Sequence, residues 1–106
     1  MTSLTGKTIR WRFDDGPTAG MTFEHVFHDD GSVTWRVVDG EHAGATAREE
    51  SYAALKVNET TWAMSYLSAS GHTLTVVLDF HDRRAYGFAS DGKASYSFSG
   101  TFELVE

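Results

Sequence analysis

Residues 61–81 constrain the fold most, because they read as a β-hairpin whose two arms share one two-residue period. Residues 68–72 (SASGH) join the arms and have the length and the glycine of a short hairpin connection. Two arms with a matching period bury one face together, which fixes their register. The large side chains of that face are Trp62, Met64, Tyr66, Leu74, Val76, Leu78 and Phe80.

The rest of the chain repeats this alternation between clusters of turn-forming residues. We predict strands over residues 7–13, 21–28, 32–38, about 45–57, 61–67, 74–81, 84–89 and 95–105. The stretch 49–57 contains helix-favouring residues but lacks a helical apolar stripe, so it is predicted as a strand. Turn signals at this spacing are typical of an all-β barrel or sandwich.

The short connections favour an antiparallel meander in which each strand lies beside its predecessor. Eight strands in a meander leave two exposed edges unless the sheet closes. We therefore predict an all-β fold, with residues 1–106 forming one eight-stranded antiparallel up-and-down barrel. The interior of such a barrel is either filled by side chains or large enough for one small ligand.

Composition narrows the class of partner. The 106 residues contain no cysteine, and 15 acidic against 9 basic residues give a net charge of −6. Nucleic acids and anionic membranes require clustered positive charge, so neither is expected as a partner.

His25 and His28 would face opposite sides of a strand, and no glycine loop precedes a helix, so we predict neither metal nor cofactor. Without a signal-peptide pattern, the expected location is cytoplasmic.

The chain resembles small MoaF-like proteins over nearly its whole length. The likeness is carried by GKTIRWRFDDG, FEHVFHDDGSVTWRVVDGEHAG, YAALKV, TWAMSYLSASGHTLTVVLDF and GTFELV, in that order. MoaF-like proteins are related to bacterial phenolic acid decarboxylases, and the resemblance implies a lipocalin-like (calycin) barrel. It implies inward-facing Ile9, Trp11, Phe13, Phe23, His25, Trp35, Tyr66, Leu74, Ala85, Gly87 and Ala89, with Tyr86 and Phe88 outside. Periodicity alone selects the same face of each strand.

The same resemblance indicates whether this chain has the catalytic residues of a phenolic acid decarboxylase. Phenolic acid decarboxylases are expected to use two tyrosines on the first strand, an arginine after the third and a glutamate ending the fifth. In this chain Trp11 and Phe13 stand at the positions of the two tyrosines. Ala45 stands at the position of the arginine, and Ser68 at that of the glutamate. The resemblance therefore implies that this chain lacks the decarboxylase residues, and whether it is an enzyme stays open.

His25 is the single candidate for proton transfer, because it shares a predicted apolar face with Phe23 and Phe27. A lumen imidazole could act as an acid–base group or bind an acidic ligand. The alternative is a neutral core histidine satisfied by a tyrosine hydroxyl or a water. Similarly, the aromatic side chains could either stack on a flat ligand or fill the core. This aromatic set is Trp11, Trp35, Trp62, Tyr66 and Tyr96.

Three functional hypotheses follow. In the first, the barrel binds a small aromatic or hydrophobic molecule, with Trp11, Phe23, His25, Trp35, Tyr66, Ser68 and Tyr96 as the ligand-binding residues. In the second, it is a cofactor-independent lyase, isomerase or cyclase in which His25 transfers the proton, assisted by Tyr66 or Ser68. In the third, a filled barrel acts through a homodimer face that contains Tyr86, Phe88 and Val77. A cavity of roughly 300 Å³ or more would favour the first two.

Overall fold

Nine antiparallel β-strands follow one another in the computed structural model, which describes residues 3–105. Their bounds are β1 Thr8–Phe13, β2 Thr22–Phe27, β3 Val33–Asp39, β4 Thr46–Glu49, β5 Ala53–Asn58, β6 Thr61–Leu67, β7 Thr73–Asp79, β8 Arg84–Ser90 and β9 Ser95–Val105. Outside residues 45–57, the strands occur where the alternating pattern predicts them. Between them lie tight turns, such as the one in which Asp30 accepts hydrogen bonds from the backbone N–H and the hydroxyl of Ser32.

The strands form one sheet in the order β4-β3-β2-β1-β9-β8-β7-β6-β5. The first and last strands pair along Thr8↔Val105 to Phe13↔Gly100, which places β1 and β9 next to each other within the sheet. His25 on β2 and Tyr66 on β6 are five strands apart in this order, or about 24 Å in a flat sheet. Their side chains nevertheless lie 2.8 Å apart, so the sheet is curled around its interior.

The structure differs from the predicted closed, eight-stranded barrel in strand number and in closure. The predicted strand 45–57 is two strands, because residues 50–52 interrupt the pairing. β4 pairs only with β3 and β5 only with β6 within residues 3–105, so the result is a curled half-barrel with two edge strands. Residues 50–52 connect β4 to β5 along the chain, but these two strands do not pair with each other.

The predicted inward face is confirmed, and it divides the interior into a packed part and an open part. The packed part contains fully buried Ile9, Phe27, Val33, Val76, Leu78 and Ala85, together with Leu4 from the segment before β1. Phe13 and Phe98 stack with their ring centroids 4.7 Å apart, close to Gly87. A Cβ at Gly87 would lie 3.2 Å from both rings, so the small residue there admits the aromatic pair.

The outer face carries exposed apolar side chains. Tyr86 is 43% and Phe88 57% exposed on β8, as predicted, and all six residues of the edge strand β5 are exposed. The homodimer through this face stays a prediction. Among residues 3–105 there is no helix long and apolar enough to cross a membrane.

The pairing of β1 with β9 makes a sharp prediction at Gly100. A Cβ at Gly100 would collide with the carbonyl oxygen of Arg12 and lie 2.8 Å from the Cα of Phe13. Because these are backbone atoms, Gly100→Ala should force the strands apart and lower the free energy of unfolding by about 2 kcal/mol. Urea denaturation measures the loss. Ser97→Ala, at an exposed position of the same strand, should stay within about 0.5 kcal/mol of the wild type. Equal stabilities for the two variants would contradict the observed register.

Candidate functional site

A cavity of about 250 Å³ occupies the open part of the curled sheet. Its walls come from seven strands and from the connections after β1 and β6. The lining residues are Trp11, Phe13, Thr18, Phe23, His25, Trp35, Tyr66, Ser68, Ser70, His72, Leu74, Ala89 and Phe98. The wall is predominantly apolar, with a few polar groups. This is the usual composition of a small-molecule site, although the volume is slightly below the usual lower limit of about 300 Å³.

The structure brings six of the seven predicted ligand-binding residues together around this cavity. They are Trp11, Phe23, His25, Trp35, Tyr66 and Ser68. Tyr96 is outside the lining. It pairs with Ala89 across β8 and β9, but the residue is 45% exposed. A role for Tyr96 in ligand binding stays a prediction without support from this geometry.

His25 is fully buried and held on two sides. Its ring stacks on Trp11 with centroids 4.0 Å apart, and its Nε2 shares a 2.8 Å hydrogen bond with the Tyr66 hydroxyl. Burial lowers the pKa of His25 to about 3, so the imidazole is neutral at physiological pH. Its Nδ1 is buried and has no hydrogen-bond partner among the described residues. The ring therefore matches the neutral core histidine with a tyrosine partner, while one nitrogen remains available for a hydrogen bond.

Glu49 is a buried acid that sequence reasoning missed. Only 3% of the residue is exposed. Its Oε2 accepts a 2.9 Å hydrogen bond from the indole N–H of Trp35, and its Oε1 accepts a 3.0 Å bond from the backbone N–H of Ala69. The Glu49 bridge, meaning these two bonds, connects β3 and β4 to the β6–β7 turn. In the sequence Glu49 stands between Arg48 and Glu50, and only its alternation with Ala47 could have indicated an inward side chain.

The charge of Glu49 reaches the cavity wall. Burial raises the pKa of the Tyr66 hydroxyl above its ordinary value, and the nearby negative charge of Glu49 is a second cause. Tyr66 is therefore a neutral phenol throughout the physiological range. As a neutral phenol it can donate a hydrogen bond or accept one.

The rim of the cavity is polar and is built by the β6–β7 turn. The Ser68 and Ser70 hydroxyls lie 2.7 Å apart, and Ser70 in turn lies 3.0 Å from Nδ1 of His72. On the other side, the connection after β1 contributes Thr18, whose buried hydroxyl has no partner within the described chain. A ligand with one or two polar atoms could supply the hydrogen bond that the Thr18 hydroxyl lacks.

The site offers hydrogen bonding and aromatic stacking more than metal chemistry. In residues 3–105, no group of three or more His, Asp or Glu side chains is arranged to hold a metal ion. His25 has no carboxylate hydrogen-bonded to it, since its one partner in the described chain is Tyr66. The aromatic lining residues include Trp11, Phe23 and Trp35, and such side chains can stack on flat rings.

The buried His25 makes stability depend on pH. The ordinary pKa of 6.5 applies to the unfolded chain, whereas the folded value is about 3. Between these values the unfolded chain binds a proton that the folded chain does not. The stability is therefore fully present above pH 6.5 and is lost as pH falls towards 3, by at most about 1.4 kcal/mol per pH unit.

We expect the wild type to lose about 2 kcal/mol more than His25→Gln between pH 6 and pH 4. Glutamine can still form a hydrogen bond with Tyr66 but does not titrate. Urea denaturation across this range provides the measurement, with Ser97→Ala as a control that should follow the wild type. Parallel curves for the wild type and His25→Gln would show that His25 protonates as easily in the folded chain as in the unfolded chain.

Comparison with known proteins identifies the family. Residues 1–94 match the family model described as the MoaF N-terminal domain. No curated protein sequence matches the chain. Among solved structures, a "putative beta-lactamase" from Burkholderia vietnamiensis has a TM-score of 0.82 and 23% sequence identity, with 99% of each chain covered. At that identity the likeness shows a shared fold alone. The family match extends over most of the chain, so the chain belongs to the MoaF N-terminal domain family.

Proposed function

We propose that this protein binds one small aromatic or hydrophobic molecule in the cavity, as a lipocalin-like barrel would. The observation that carries the proposal is the apolar cavity of about 250 Å³ with aromatic walls. An apolar cavity of about 150 Å³ is enough for benzene, so this one suits a ligand of one or two rings. Drug-sized molecules would be too large.

The polar groups of the wall support a ligand that is mostly apolar but carries a hydrogen-bonding atom. Nδ1 of His25 and the hydroxyl of Thr18 are both buried without a partner in the described chain. A buried polar group without a hydrogen bond costs about 1–3 kcal/mol. A ligand atom that reached either group after a small side-chain movement would recover part of that energy.

The 2.8 Å contact between His25 and Tyr66 favours a second candidate, a cofactor-independent lyase, isomerase or cyclase. A histidine with a tyrosine partner in a cavity is a plausible proton-transfer pair. The pKa of about 3 weighs against it, because a general base is most effective when its pKa is near the working pH. A binding function is therefore the better supported of the two.

The description of the Burkholderia vietnamiensis protein is not carried into the proposal. Serine β-lactamases place a nucleophilic serine and a lysine in an S-x-x-K motif. Ser90 and Lys93 have that spacing here, but they lie at the end of β8 and in the turn after it. Neither residue lines the cavity.

Filling the cavity tests the binding proposal. Ala89 lines the cavity from β8, so Ala89→Phe should occupy the ligand's space and reduce the affinity for one-ring aromatic compounds at least tenfold. The fluorescence of the lining tryptophans reports binding. The matched control is Ala94→Phe, which adds the same ring at an exposed turn and should bind normally. If the wild type binds no member of a one- and two-ring library, or if Ala89→Phe binds unchanged, the proposal fails.

His25→Gln separates the two candidates. If the protein is a binder, the variant should retain ligand affinity to within a few fold, since glutamine preserves a polar partner for Tyr66. If the protein is an enzyme, the variant should retain binding but lose turnover. Native mass spectrometry of protein purified from its own host would provide the compound for this assay. A retained compound recovered chemically changed from wild type but intact from His25→Gln would favour the enzyme.

A further inference from the structure

We infer that Glu49 is a specificity-determining residue that excludes carboxylates and other anions from the cavity, so that the ligand is an uncharged ring compound. This inference rests on the proposed binding function and specifies the ligand class. It depends on three features of the site, namely the absence of lysine and arginine from the described wall, the unneutralised charge of Glu49 and the position of that charge directly behind the wall.

Within the described chain, the wall offers an anion no lysine or arginine, and its histidines are the buried His25 and the rim residue His72. The buried imidazole of His25 is neutral at physiological pH. A carboxylate entering this predominantly apolar space would lose its hydration without gaining an ion pair, and burying an unpaired charge is costly.

Glu49 itself has no cationic partner in residues 3–105. Its two oxygens accept only from N–H groups, those of Trp35 and Ala69, as expected for an ionised carboxylate. The neighbouring Arg48 is paired with Asp30 instead. The contrast is with Glu24, the other buried glutamate, which lies on the outer face between two arginines.

The negative charge lies one side chain behind the cavity. Trp35, which donates to Glu49, lines the cavity, and so do Ser68 and Ser70 on either side of Ala69. A ligand in contact with Trp35 would be within roughly 10 Å of the carboxylate. At an effective dielectric constant of about 20, a unit charge at that distance changes affinity about tenfold.

Three ligands of nearly the same shape test the inference: uncharged benzamide, anionic benzoate and cationic benzamidine. Dissociation constants are measured by chemical-shift titration at pH 8, where ordinary histidines are uncharged. The wild type should bind benzamide at least tenfold more tightly than benzoate. Glu49→Gln should strengthen benzoate and weaken benzamidine, each about tenfold relative to benzamide.

These opposite changes distinguish a charge effect from a loosened structure, because damage to the Glu49 bridge would shift all three ligands in the same direction. Glu50→Gln removes an exposed charge from the next position and should leave the ratios unchanged. Benzoate binding as tightly as benzamide to the wild type, or ratios unaltered in Glu49→Gln, would overturn the role of Glu49 and leave the binding function standing. If none of the three ligands bound, and the broader aromatic library also failed, both proposals would fall.

Discussion

The Glu49 bridge connects the two sides of the curled sheet where no ladder of backbone hydrogen bonds within residues 3–105 joins them. Elsewhere every strand is connected to its neighbours by a ladder of bonds, but the break at residues 50–52 leaves β4 and the β6–β7 turn without one. One carboxylate holds Trp35 and Ala69 together across this gap. Bonds from N–H groups to an ionised acceptor are among the stronger hydrogen bonds in proteins. The same contact therefore links β3 and β4 to the β6–β7 turn and contacts part of the cavity wall.

The structure explains how one interior can be both packed and open. Small residues on β8 lie beside large aromatic residues of β9 and β1, and the outcome differs along the strand. At Gly87 the rings of Phe13 and Phe98 fill the available space, whereas at Ala89 the space remains part of the cavity. The volume of the cavity therefore depends on the size of the side chains along β8 and of the aromatic side chains beside them. A single substitution on β8 can change that volume.

Much of this fold could be predicted from sequence because a two-residue period is a strong local signal. Alternation in β1, β2, β6 and β7 identified both the strands and their inward faces, and hence most of the cavity wall. The break in the segment 45–57 could not be predicted in this way, since its exposed residues show no alternation. Glu49 was missed for a related reason. A charged side chain in a polar segment appears solvent-exposed unless its partners, distant in sequence, are known.

The open sheet also leaves β5 with an unpaired edge. An exposed edge strand with apolar residues such as Leu55 and Val57 is a template on which a second chain could add and begin aggregation. Two features oppose that addition. Lys56 places a charge in the middle of the strand, and the pairing with β6 shifts register between Lys56 and Asn58, which distorts the edge. The lysine and the register shift therefore make the open edge of the half-barrel a poorer template for fibrils.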